Sequence, residues 1–146
     1  MTLAVLISAH SFAHDHAEEF GGAEKAKELL TRTVNLVKSN ETVDFAMITA
    51  GTGGLSSMDL YPFCTSMKGI MVAHPVSSDT NMSNFITSND IKVADVMLKN
   101  AKEGKISKLT YLLNRLVDGT QSKVFKKTTY YTKVDGCVCA SGYYSK

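Results

Sequence analysis

The apolar positions change period along the chain. Ala23, Ala26, Leu29, Leu30, Thr33, Val34 and Val37 recur at the three- and four-residue spacing of one helix face, with Glu24, Lys25, Lys27, Glu28 and Arg32 on the other. This predicts a helix over residues 17–38, weakened at its start by Gly21-Gly22 and ended by Ser39-Asn40. A short second helix over residues 41–50 follows. Gly51-Thr52-Gly53-Gly54 then reads as a loop; it lacks the Lys-Ser/Thr and the strand-to-helix setting of a phosphate loop. From Leu60 the pattern becomes strand-like. Residues 60–65 and 69–74 are β-prone runs joined through Ser66-Met67-Lys68-Gly69 as a hairpin. Pro62 cannot donate to a ladder, which predicts an edge position or a bulge there. A polar segment over residues 77–89 leads to Asn89 or Asp90 as the cap of a helix running to about residue 102. Its buried stripe is Ile91, Ala94, Met97, Leu98 and Ala101. Residues 106–116 and 124–134 read as strands joined by Asp118-Gly119-Thr120-Gln121, and Asp135-Gly136 leads into a last strand over residues 137–144. The expectation is one α+β domain, an antiparallel sheet with its helices packed on one face.

Composition narrows the function classes. A chain of 146 residues with 44% hydrophobic and 21% charged positions suits one folded domain. A net charge of +2, with the basic residues spread along the chain, gives no footprint for nucleic acid. No apolar run reaches the ~18–20 residues of a membrane span. Residues 3–9 are apolar and precede Ser11-Phe12-Ala13, the pattern of a secretory signal that lacks its basic start. Residues 1–13 are therefore expected to be a truncated signal peptide, with residues 14–146 as a periplasmic or secreted domain; a short apolar strand or helix turn is the alternative. If cleavage follows Ala13, His16 becomes third in the chain, a copper- or nickel-binding geometry, with His10, His14 and Asp15 nearby. No second ligand cluster supports it, so no metal is expected.

Three cysteines are too few for a disulfide scaffold. Cys137 and Cys139, two apart on a strand, point to one face. They read as small buried hydrophobes, or as partners for Cys64 if its strand is a neighbour. Motifs for catalysis are missing: there is no nucleophile elbow and no HExxH. A thiol–imidazole pair of Cys64 and His74 across the hairpin is the one enzymatic alternative, so the expectation is a non-enzyme without a cofactor.

Two stretches carry more than pattern. Asp59-Leu60-Tyr61-Pro62-Phe63 leads through Lys68-Gly69-Ile70-Met71-Val72 to Ala73-His74-Pro75, and Lys127-Thr128-Thr129-Tyr130 runs through Asp135-Gly136 to Ala140-Ser141-Gly142-Tyr143-Tyr144. In order and spacing these resemble the single Cache domain family, extracytoplasmic PAS-like sensor modules of bacterial receptors. The likeness covers most of residues 20–144. It departs where Ser107-Lys108 stands ahead of Tyr111 in place of the family's glycine-tryptophan pair. The resemblance implies a PAS-like five-stranded antiparallel sheet with a long N-terminal helix and a further helix alongside. It also implies a sheet-face pocket closed by residues 75–89 that binds small metabolites, often short carboxylates, without catalysis. By matching positions the ligand-binding candidates are Tyr61, His74, Tyr111, Lys127 and Tyr130, with Lys127 as the anchor. The implied partners are the small molecule itself and a membrane receptor or kinase in chemotaxis or related signal transduction. The competing reading is a structural or interaction protein whose pocket is filled by its own side chains.

Overall fold

A computed structural model describes residues 21–117 and 121–145. The copper-type histidines, the proposed signal peptide and most of the turn after residue 117 lie outside them. The first element, α1 (Ala23–Ala50), starts directly after the two glycines and ends at Gly51, whose left-handed φ of 70° caps it. Asn40 interrupts it with non-helical backbone, and its Oδ1 accepts the Val43 N–H at 3.2 Å. Ser39-Asn40 thus acts as the predicted break, and Asn40 caps the helical turns that follow.

Five strands follow: β1 (Pro62–Ser66), β2 (Met71–Ala73), β3 (Ser107–Val117), β4 (Gln121–Val134) and β5 (Cys137–Ser145). All neighbours are antiparallel, in the order β2-β1-β5-β4-β3. Asp135 and Gly136 take φ values of 48° and 76°, the paired left-handed geometry of a tight two-residue hairpin turn. Pro62 is not on an edge strand, because β1 lies between β2 and β5. It is tolerated as the first residue of the strand, and the register shifts at Cys64/Thr65.

The helices do not share a face. The α1 stripe (Ala26, Leu29, Leu30, Val37, Ile48) packs with Cys64, Ala73, Tyr130, Val134 and Cys139. The second helix, α2 (Val93–Asn100), buries Val93, Ala94 and Met97 with Phe63, Tyr111, Tyr131, Val138 and Ala140, which point the opposite way from the same strands. The expected single helical layer is therefore corrected to one helix on each face. α2 also starts later than Asn89. Asp90 has a φ of 61°, and the Asn89 side chain is engaged elsewhere.

Residues 75–92 form a strap from one sheet edge to the other. Beside β2, Met71 N–H donates to Thr80 O (2.9 Å), Asp79 N–H to Met71 O (2.8 Å) and Met82 N–H to Gly69 O (2.8 Å). At β3, Ser88 N–H donates to Leu112 O (3.2 Å) and Leu112 N–H to Asn89 Oδ1 (3.1 Å). Between these anchors the strap crosses the face opposite α1.

Candidate functional site

The strap and the sheet enclose a cavity of about 460 Å³. Its floor comes from strand parity and register. Tyr111 on β3 stands opposite Lys127 on β4, which stands opposite Tyr144 on β5. Cross-strand partners share a face, so one cation and two phenols are set side by side. The next position along that face of β5, Gly142, has no side chain. A Cβ there would lie 2.7 Å from Lys127 Cε, so the lysine stem crosses β5 through this trough. Lys127 Nζ lies 5.0 Å from the Tyr144 ring centre and 5.2 Å from that of Tyr61, ahead of β1. These are cation–π distances.

Lys127 is 4% exposed, whereas its neighbour Lys126 is solvated. Burial works to lower the ammonium's pKa, but Tyr111, Tyr61 and Tyr144 outweigh it and lift the value to about 12. The charge persists at neutral pH. No Asp or Glu among the described residues lines the cavity.

His74 ends the β1–β2 hairpin. Its Nδ1 accepts the N–H groups of Val76 (3.0 Å) and Ser77 (2.9 Å), and Ser78 Oγ both accepts its backbone N–H and donates to its carbonyl. It therefore fixes the start of the strap and lines the cavity as well, with Tyr61 edge-on at a 5.1 Å centroid distance. Burial, with the Lys127 charge behind it, lowers the imidazole to about 4. The ring is neutral at pH 7, and with Nδ1 accepting, its proton sits on Nε2.

Of the five residues chosen from sequence, Tyr61, His74, Tyr111 and Lys127 meet at this cavity. Tyr130 does not. It lies an odd number of positions from Lys127, so it projects to the α1 face, where it stacks on Tyr143 under Lys27. Sequence reasoning missed Phe63, Met71, Met82, Phe85 and Leu113, which line the apolar part of the cavity. Phe63 and Leu113 follow Tyr61 and Tyr111 by two, a parity signal that was available. Met82 and Phe85 come from the strap, where no period exists.

The Cys64–His74 pair is excluded as chemistry. Cys64 is joined to Cys139 in a disulfide on the α1 face, while His74 faces the strap. Cys137 remains a thiol, buried, with its pKa pushed up by burial and by Glu41 and Asp135. Among the described residues no cluster of metal-ligating side chains is present. The described side chains leave this cavity open.

No family model matches the chain, and no curated protein matches it. Solved structures do. A methyl-accepting chemotaxis protein from Vibrio parahaemolyticus superposes with a TM-score of 0.63 at 17% identity, over 83% of this chain and 86% of that one. A Cache chemosensory domain studied for carboxylic acid recognition gives 0.58 at 19% identity over 84% and 88%. The periplasmic sensor domain of a chemotaxis protein gives 0.58 at 16% identity over 84% and 90%. With the order β2-β1-β5-β4-β3, one helix on each face and a strap over the sheet, the chain has the fold of a single Cache domain.

Proposed function

We propose that this domain binds a small carboxylate or related metabolite under the strap and acts as a sensor, without catalysis. The carrying observation is Lys127, a buried ammonium at the wall of an open cavity that no carboxylate among the described residues lines. A lone buried charge costs several kcal/mol unless it is paired and hydrogen-bonded. The Tyr61 and Tyr144 rings offset part of that. A bound carboxylate completes the compensation, with the Tyr61 and Tyr111 hydroxyls and His74 Nε2–H as further candidate contacts. The likeness to chemotaxis sensor domains, one of them studied for carboxylic acid recognition, supports the same reading.

The disulfide suits an oxidising compartment, in keeping with residues 1–13 as a signal peptide and a periplasmic or secreted domain. No helix among the described residues is long and apolar enough to cross a membrane. In this reading the ligand-bound state is passed to a membrane receptor or kinase.

Thermal shift and calorimetry with a panel of small carboxylates test the site. A ligand at ~100 times its Kd adds about 2.7 kcal/mol of stability. Lys127→Met is expected to stay folded and lose that gain; stabilisation that survives the substitution refutes the reading. With His74 near 4 and Lys127 near 12, affinity should be flat between about pH 6 and 9. A step in the ordinary histidine range argues against these assignments.

A further inference from the structure

The cavity's lining says more about its ligand than Lys127 alone does. Its volume of about 460 Å³ is roughly that of fifteen waters. An acid of two carbons would leave most of it wet. Away from Lys127 the walls are Phe63, Met71, Met82, Phe85 and Leu113, with polar groups from the strap. Several of the polar groups in the lining already have partners. Asn81 Oδ1 accepts the Ser83 N–H at 2.9 Å, His74 Nδ1 accepts two backbone N–H groups, and Thr80 Oγ1 donates to Ser77 O at 2.6 Å. An ammonium there would meet only neutral acceptors, because among the described residues no acidic side chain lines the cavity.

We infer that the cavity selects monocarboxylates with an apolar remainder, and that it rejects α-amino acids and dicarboxylates. This rests on the carboxylate reading above and adds the rest of the ligand. Lys127 takes the carboxylate, and the methionine, leucine and phenylalanine walls take the tail. An α-amino group placed beside that carboxylate meets a like charge on Lys127 and finds no anion. A second carboxylate finds no second cation there, because among the described residues Lys127 is the only lysine or arginine in the lining. Selectivity here comes from unpaired charges in the wrong ligand as much as from contacts to the right one.

The test compares matched ligands on the wild-type protein by calorimetry: butanoate with 2-aminobutanoate and butanedioate, and phenylacetate with phenylalanine. The simple acids are expected to bind, and each amino or second carboxyl group should weaken binding by roughly tenfold or more. Amino acids or dicarboxylates binding as tightly as the simple acids overturn the selectivity while leaving the carboxylate reading intact. If no member of the panel binds, the carboxylate reading falls, and this inference with it. Phe85, 38% exposed at the strap, offers a converse test. Phe85→Asp places an anion at the cavity and should narrow the gap between butanoate and 2-aminobutanoate; an unchanged gap refutes the charge argument.

Discussion

Asp44 is the residue whose surroundings least suit it. It is 1% exposed on the sheet-facing side of α1, and neither carboxylate oxygen has a hydrogen-bond partner. Burial raises its pKa from 3.8 to about 6. Because the folded value lies above the unfolded one, the acid form's stabilisation is complete below about pH 4 and is lost as pH rises through 6. Across that window the loss amounts to roughly 3 kcal/mol. Denaturant unfolding should therefore show the domain gaining stability from pH 7 to pH 5, and Asp44→Asn should flatten that slope. A wild-type slope retained in the variant refutes the assignment. Nothing in the helical pattern flagged Asp44, because a stripe read from apolar residues skips a carboxylate on the same face.

At the scale of elements, local chemistry was legible and long-range neighbours were not. The two-residue turn at Asp135-Gly136 fixes Lys127 opposite Tyr144 and parity sends Tyr130 to the other face, so both facts could have been derived from sequence. The β3–β4 register has Val117 opposite Gln121, three residues between them rather than the expected four-residue turn. The contact of β1 with β5 had no local signal, since it joins segments some 75 residues apart. Gly142 shows what a strand can demand of one position. An added Cβ would meet Thr129 Oγ1 at 2.6 Å and the Thr128 carbonyl at 3.1 Å, as well as the Lys127 stem. Gly142→Ala is expected to destabilise by about 1–3 kcal/mol, the range for overpacking, and to weaken ligand stabilisation. Gly22→Ala, where a Cβ meets nothing within 4 Å, is the control. Equal effects in the two variants would refute the trough.

For the whole molecule, the Cys64–Cys139 bond closes a loop of 75 residues and holds the β1–β2 hairpin to the β3–β4–β5 meander. Chain entropy assigns such a crosslink roughly 4 kcal/mol, and typical measurements give about 2–4. Cys64→Ala/Cys139→Ala should lower the free energy of unfolding by that amount; a loss under about 1 kcal/mol would mean that the reduced chain already keeps these strands together.

The strap's two anchors bear on a different hazard. The outermost strand of a sheet can template another chain through its unpaired backbone groups. Here a single segment occupies such groups on both sides, residues 79–82 along β2 and Ser88-Asn89 at Leu112, midway along β3. The roof of the cavity is therefore also a guard against edge-to-edge aggregation. Movements of the intervening residues leave that guard in place, whereas lifting the strap from either anchor would expose a strand to self-association.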